Sequence, residues 1–252
     1  MIRVLCWLRA IGLVFFVLFH TLVCSFLVIG LLLLHAPRSW VDWAIGPLWC
    51  RLMVRVSGLK VDVFGIENVP RARGFLYLFT HSSHLDVPVL FSASPKSFRF
   101  GAKSSLFKIP IFGYAVTLSG TLPITREDRN KVMEVYRQAE ERVARGEAFA
   151  LAPEGGRRQG GEIKEFKSGP FIFAMNARMP VVPVVICGVD QALKKGSLLI
   201  NKDRWIRPVA VSMLPARELG PDWDKEQLKE FKVQLRNEMV AEYQKLSRSY
   251  LD

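Results

Sequence analysis

Residues 74–90 read GFLYLFTHSSHLDVPVL, and this stretch predicts the fold. The apolar run after Gly74 ends at a cluster of polar residues, which is typical of a buried strand that leads into a turn. A helix is expected after the turn. Chemistry in α/β proteins tends to lie just beyond the carboxyl ends of strands, so residues 81–86 form a candidate site.

Other parts of the chain repeat this alternation. Three more apolar runs predict strands, at 147–156, 180–188 and 208–214. Apolar residues recur at helical spacing over 129–145, and Gly146 is a plausible helix stop. Asp224 and Gln227 resemble a capping box for a last helix that continues to the C-terminus. Strands that alternate with helices predict an α/β sheet protein.

The segment 11–34 is almost wholly apolar, and no charged side chain occurs from Ala10 to Pro37. A helix of this length would measure roughly 36 Å, against about 30 Å for the hydrocarbon core of a bilayer. The pattern predicts an uncleaved membrane anchor. A cleaved signal peptide is the alternative, but it would have a shorter apolar region and a small-residue cleavage site after it.

Tryptophans and arginines are interleaved over 39–56. These residues suit the headgroup layer of a membrane, where amphipathic rings and long cationic side chains are both satisfied. An ordinary amphipathic core helix is the alternative. We predict membrane-attachment helices in 1–57 and a catalytic domain in 58–252.

The length and composition limit the number of domains and indicate the kind of partner. The chain has 252 residues, half of them apolar, and a formal net charge of +12. This length can build one core, or one core with a membrane attachment. The positive charge favours an anionic partner, such as nucleic acid, an anionic leaflet, a phosphorylated substrate or an acidic carrier protein. The four cysteines have no metal-ligand spacing and are expected to be buried free thiols.

His81 and Asp86 are close enough in sequence for their side chains to meet across the turn. The carboxylate can then fix the imidazole tautomer and stabilise the imidazolium that forms when the ring takes a hydroxyl proton. Asp86 acting only as a helix cap is the structural alternative. A metal-dependent hydrolase with His84 as a further ligand is another, although Val87 after Asp86 departs from the familiar HxHxDH pattern.

A second polar cluster spans 153–164, PEGGRRQGGEIK. Its glycines permit close approach of the backbone to an anion, and Arg157 and Arg158 can hold phosphate by forked hydrogen bonds. The segment is neither a Walker loop nor a dinucleotide fingerprint. A solvated basic loop is the alternative.

Four motifs in order carry a family resemblance. His81 and Asp86 match an HxxxxD motif. Residues 103–126, KSSLFKIPIFGYAVTLSGTLPITR, resemble a second block that begins with Lys103 and ends with Arg126.

The third and fourth blocks follow at 153–157, PEGGR, and at 182–184, VPV. The chain therefore resembles the glycerolipid acyltransferases, the family that includes 1-acylglycerol-3-phosphate acyltransferases. Gly156 stands where the third block usually has threonine, and Arg158 stands where serine is common.

The resemblance implies a mixed central sheet flanked by helices and preceded by an N-terminal membrane-attached helical hairpin. It implies acyl transfer from a thioester, acyl-CoA or acyl carrier protein, to the free sn-2 hydroxyl of 1-acylglycerol-3-phosphate, giving phosphatidic acid. Alternative acceptors are another lysophospholipid, a lyso-aminolipid or glycerol-3-phosphate. The expected partners are the bilayer, lysophosphatidic acid and the thioester, which is a substrate, so we expect no cofactor and no metal. No recognised nucleic-acid motif occurs, and no such partner is expected.

The resemblance also implies roles for individual residues. His81 deprotonates the acceptor hydroxyl, and Asp86 supports His81. The predicted substrate-binding residues are Lys103, Arg126, Glu154, Gly155, Gly156 and Arg157. Of these, Glu154 and Gly155 shape the acceptor site, and the cations bind its phosphate.

The expected location is the inner (cytoplasmic) membrane, with the catalytic domain facing the cytosol, where acyl thioesters are made. A simple span would put Arg3 and Arg9 on the far side, against the tendency of basic flanks to stay inside. A one-leaflet helical hairpin avoids this conflict and is the prediction; a span is the alternative.

Overall fold

The computed structural model describes residues 2–158 and 161–251, which contain one seven-stranded sheet. Its strands are β1 (Leu59–Phe64), β2 (Leu76–Phe79), β3 (Arg99–Lys103), β4 (Leu122–Ile124), β5 (Phe149–Leu151), β6 (Val181–Cys187) and β7 (Arg207–Met213). Their order across the sheet is β1-β7-β6-β2-β5-β3-β4. Strands β6, β2, β5, β3 and β4 are parallel, whereas β7 is antiparallel to β6 and β1 is parallel to β7. The predicted mixed sheet is confirmed.

Helices cover both faces of the sheet. They are α1 (Ile2–Leu33), α2 (Arg38–Trp43), α3 (Leu52–Val56), α4 (Asp86–Ala93), α5 (Phe112–Leu118), α6 (Arg129–Ala144), α7 (Gly169–Asn176), α8 (Val189–Ala192) and α9 (Lys225–Tyr250). A π-helix spans Ala44–Arg51, and 3₁₀-helices span Ile66–Asn68 and Ser104–Lys108. Side chains alternate along β2, so Tyr77 and Phe79 face the layer with α1 and α4, while Leu76 and Leu78 face the layer with α6, α7 and α9.

The N-terminal helices form a hairpin. Helix α1 is continuous, and the chain reverses at 34–37 before it returns through α2 and the π-helix. Polar residues in the middle of α1 contact the returning segment: Trp49 Nε1 donates to Thr21 Oγ1 at 3.0 Å, and His20 Nε2 lies 3.2 Å from Leu48 O. The predicted hairpin is therefore present, with its bend at the end of α1.

Helix α1 is long and apolar enough to cross a membrane, by length and composition, with a mean hydropathy of 2.5. It also packs against the sheet layer: Leu13 belongs to the same core cluster as Val54 and Phe79. At its other end, Val28 clusters with Ala115 of α5. The division into 1–57 and 58–252 stays a prediction.

The four predicted strands are all present; β2, β5 and β6 are shorter than their apolar runs, whereas β7 has the length of its run and begins one residue earlier. Strands β1, β3 and β4 were not predicted. Strand β1, LKVDVF, alternates apolar and polar residues; β3, RFGAK, has a cation at each end; β4 has only three residues. None of them carries the continuous apolar run on which the prediction relied.

The predicted helix boundaries are confirmed. Asp128 caps α6 by accepting from the backbone N–H of Lys131, and Gly146 follows the helix at φ 86°. Asp224 and Gln227 form the predicted capping box of α9. The four cysteines are buried free thiols, as their spacing indicated.

Candidate active site

The carboxyl ends of four neighbouring parallel strands meet at one edge of the sheet. Strand β2 leads to His81 and β5 leads to Glu154, while β3 ends at Lys103 and β4 leads to Arg126. Since the strands are neighbours, residues far apart in sequence lie at the same edge. The short strands β3 and β4, which sequence patterns missed, are the ones that place Lys103 and Arg126.

His81 and Asp86 form a hydrogen-bonded pair, as their spacing predicts. His81 Nδ1 lies 2.9 Å from Asp86 Oδ2. The same oxygen accepts the backbone N–H groups of Ser82 at 2.7 Å and Ser83 at 2.8 Å. Asp86 is fully buried at the first turn of α4, where it can orient the imidazole so that Nε2 is the nitrogen available to accept a proton.

Two further contacts hold the turn around the His81–Asp86 pair. Ser83 Oγ donates to the backbone oxygen of Leu193 at 2.9 Å, so this hydroxyl is committed to the turn. The Phe79 ring packs edge-on against His81, with 5.5 Å between ring centroids. Both contacts help to position His81.

Glu154 supports the backbone of His81. Its Oε1 accepts the N–H of His81 at 2.9 Å, and its Oε2 accepts the N–H of Lys164 at 3.2 Å. Burial raises the pKa of Glu154, while the His81 N–H and the charge of Arg158 act in the opposite direction. Both carboxylate oxygens are thus used, and a proton on either would displace a donor.

Arg158 lies inside the protein rather than at the site surface. Its guanidinium is 4.4 Å from the centre of the Tyr243 ring, and Nη1 is 4.0 Å from Glu154 Oε1. Its backbone N–H donates to His81 O at 2.8 Å. By residue type both arginines can hold phosphate, but the side chain of Arg158 is buried. The motif resemblance distinguishes the two, because it assigns phosphate binding to Arg157 and not to Arg158.

The three predicted phosphate-binding cations line one cavity together with His81. They are Lys103, Arg126 and Arg157. Gly156 lies against Arg126: a Cβ added to Gly156 would be 3.1 Å from Arg126 Nη1. A side chain at position 156 would require the Arg126 guanidinium to shift by a few tenths of an ångström.

Gly155, the remaining predicted substrate-binding residue, forms the turn after β5. It adopts φ 72°, a left-handed conformation that favours glycine, and its N–H donates to Ala152 O at 3.1 Å. The turn returns toward the sheet through the Lys167 N–H, which donates to Pro153 O at 2.8 Å. Gln159 and Gly160, which the sequence placed in the same cluster, lie outside the described residues.

The cavity has a volume of about 600 Å³, within the range of ligand-binding sites. Its apolar wall comes from α1, the π-helix, α4 and β3, with Val17, Trp49, Phe91 and Phe100 among the lining residues. A charged head group and a hydrocarbon chain could therefore both find complementary surroundings in one cavity.

His84, the third member of the alternative metal site, also lines the cavity. Loss of hydration there, followed by the charges of Arg157 and His81, lowers the pKa of His84. Among residues 2–158 and 161–251, no three His, Cys, Asp or Glu side chains are grouped closely enough to hold a metal ion. The His81–Asp86 pair, with 2.9 Å between Nδ1 and Oδ2, has the geometry that a general base and its partner require.

The chain is similar to known acyltransferases. A family model described as Acyltransferase matches residues 60–187. The 1-acyl-sn-glycerol-3-phosphate acyltransferase BAT2 of Brassica napus, a chloroplastic protein, is 31% identical over 61% of this chain and 44% of its own length. The 1-acyl-sn-glycerol-3-phosphate acyltransferase of Helicobacter pylori is 28% identical over 79% of this chain and 81% of its own length.

A solved structure shares the fold. The crystal structure of the 1-acyl-sn-glycerophosphate (LPA) acyltransferase PlsC from Thermotoga maritima superposes with a TM-score of 0.78 and 21% identity, covering 96% of this chain and 98% of that chain. The predicted fold is therefore confirmed. The chain spans less than half of the Brassica napus, Arabidopsis thaliana and Chlamydomonas reinhardtii relatives, at 44%, 43% and 49% of their lengths.

Proposed function

Because the chain belongs to the Acyltransferase family, we propose that it transfers an acyl chain from a thioester to the free sn-2 hydroxyl of 1-acylglycerol-3-phosphate, giving phosphatidic acid. The observation that carries the proposal is the His81–Asp86 pair, at 2.9 Å, on the wall of an apolar cavity that also holds three cations. The printed names of the relatives support the acceptor.

The reaction follows from the pair. The acceptor hydroxyl gives its proton to His81 Nε2 as its oxygen attacks the thioester carbonyl, and Asp86 stabilises the imidazolium. The tetrahedral intermediate then breaks its C–S bond. The proton passes from His81 to the departing thiolate, so the products are an oxygen ester and a free thiol. The chemistry uses only these two side chains and the two substrates.

The cations complement the negative charge of the acceptor's phosphate. A phosphate monoester is dianionic near neutral pH, and Arg126 and Arg157 can each offer charge-assisted hydrogen bonds. Lys103 supplies a third positive charge on the same cavity wall. The apolar lining from α1 and the π-helix suits the hydrocarbon chains of either substrate.

We also propose that α1 lies within one leaflet of the inner membrane, with the catalytic residues on the cytosolic side. Arg9 Nη2 donates to Ser57 O at 2.8 Å, and Val28 packs with Ala115, so α1 contacts the rest of the protein near both ends. These contacts lie about 28 Å apart at about 1.5 Å per residue, almost the hydrocarbon thickness. If α1 crossed the bilayer perpendicular to its plane, its two ends would lie at opposite surfaces. The contact at Arg9 or the contact at Val28 would then be lost.

An acyl-transfer assay tests the reaction. The purified protein in detergent is offered 1-acylglycerol-3-phosphate, other lysophospholipids, a lyso-aminolipid and glycerol-3-phosphate, each with acyl-CoA and with acyl carrier protein. Lipid mass analysis identifies the product. We expect phosphatidic acid from the wild type and at least a 10²-fold slower rate from His81→Ala. His84→Ala is the matched control and should keep most of the rate. Ester formation on a different acceptor alone would refute the proposed substrate.

A labelling experiment tests the membrane arrangement. A cysteine at position 2 of a Cys-free variant should react with an impermeant reagent only from the cytosolic side. Reaction only from the outer side would establish a span and overturn the one-leaflet proposal.

A further inference from the structure

Residues 194–206, here named the basic loop, carry an exposed apolar surface that the proposed reaction does not use. Leu198 is 74% exposed, Trp205 54% and Ile206 61%. Four exposed cations, Lys194, Lys195, Lys202 and Arg204, are interleaved with them. Large apolar side chains among lysines and arginines are typical of segments that lie in the headgroup layer of a membrane.

The basic loop lies directly beside α1. Arg9 of α1 donates to Trp205 O at 2.5 Å, and its guanidinium lies 4.5 Å from the centre of the Trp205 ring. Lys202 Nζ lies 5.4 Å from the centre of the Trp7 ring. The exposed apolar side chains of the loop and of α1 therefore occupy adjoining surface.

The cavity links the basic loop to the site. Leu198 of the loop and Leu18 of α1 both line the cavity, and both are exposed. Lys195 Nζ donates to the backbone oxygen of Arg157 at 3.2 Å, which ties the loop to one of the phosphate-binding candidates. The loop and α1 thus border the same cavity from two sides.

We propose that the basic loop is a second membrane-binding element, which inserts Leu198, Trp205 and Ile206 into the headgroup layer of an anionic leaflet beside α1. The proposal rests on the one-leaflet attachment of α1. It puts the cavity border formed by Leu18 and Leu198 at the bilayer surface, where a lysolipid can pass sideways from the leaflet to His81.

The charge of the loop favours an anionic lipid surface. The loop contains four cations and one carboxylate, that of Asp203. This carboxylate already pairs with Arg207 at 2.8 Å. An acidic protein would also complement this positive charge. Continuity with the exposed apolar face of α1 favours the lipid surface, because a protein docked on the loop would compete with the bilayer for the same area.

Depth-dependent fluorescence quenching tests the proposal. Single cysteines at Leu198→Cys and Ile206→Cys, in a folded, Cys-free full-length variant, carry the fluorophore NBD. Vesicles contain anionic phosphatidylglycerol and lipids with a quencher near the headgroups. Phe19→Cys on α1, 67% exposed, is the positive control, and Val233→Cys on α9, 54% exposed in the opposite helix layer, is the negative control.

We expect blue-shifted emission and shallow quenching at 198 and 206, weaker in zwitterionic vesicles, with no change at 233. Position 206 is informative even where the 198 probe disturbs the cavity. Unquenched probes at 198 and 206 beside a quenched probe at 19 would overturn the proposal and leave the attachment of α1 standing. An unquenched probe at 19 would overturn both. A blue shift only on addition of acyl carrier protein would assign the loop to a protein partner instead. None of these outcomes depends on the acyl-transfer assay.

Discussion

Replacing Asp86 by asparagine isolates the charge of the proposed catalytic pair. Asparagine matches aspartate in size and retains an acceptor oxygen for the three donors that reach Oδ2, from His81, Ser82 and Ser83. It lacks the negative charge that stabilises an imidazolium. Asp86→Asn therefore separates orientation, which is largely kept, from electrostatic stabilisation, which is lost.

The size of the effect follows from the short distance within the pair. Two unit charges about 4 Å apart interact by about 4 kcal/mol at an effective dielectric constant of about 20. If the imidazolium is fully formed in the transition state, kcat/KM falls by about 10³-fold, at 1.36 kcal/mol per factor of ten. If the proton is half transferred, about 2 kcal/mol is lost and the fall is roughly 30-fold. Asp86→Asn should lie between these limits.

A loss of stability has to be separated from the loss of rate. Asp86 Oδ1 is buried, with no hydrogen-bond partner among the described residues, so an amide NH₂ there leaves an unsatisfied donor that costs about 1–3 kcal/mol. Val185→Ala, in the core on the far face of the sheet, supplies a matched fall in Tm without touching the site. Initial rates of thiol release are measured for both variants well below Tm. A rate for Asp86→Asn within a factor of three of Val185→Ala would refute the electrostatic role.

Three further outcomes are expected. Arg126→Ala or Arg157→Ala should raise the KM for the lysolipid roughly 10- to 150-fold, since each charge-assisted bond is worth about 1.5–3 kcal/mol; an equal rise in the KM for the thioester would contradict phosphate binding. Arg158→Met removes a charge that lowers the pKa of Glu154, so the acid limb of kcat/KM against pH should move to higher pH, and Arg158→Lys should restore it. An unmoved limb would limit Arg158 to packing. Activity should survive EDTA, and a loss that zinc restores would support the hydrolase alternative.

Local patterns were sufficient for much of the fold. Continuous apolar runs identified β2, β5, β6 and β7, because buried strands expose neither face to water. Capping signals located the ends of α6 and α9. The five-residue separation of His81 and Asp86 predicted their contact, since a single tight turn connects them. Each of these features depends on neighbours in the chain.

Contacts between distant segments required the tertiary structure. The order of the sheet sets β5 beside β2, followed by β3 and β4, and only this brings Lys103 and Arg126 to the edge that holds His81. Arg157 and Arg158 are adjacent and chemically identical, yet one lines the cavity and the other is buried against Tyr243. Sequence periodicity describes which way a side chain leaves its own helix or strand; it carries no information about which remote surface that side chain meets. The amino-acid sequence by itself therefore determined four of the seven strands, the ends of α6 and α9 and the contact between His81 and Asp86, and tertiary packing decided how the cations reach the cavity and which surface joins α1.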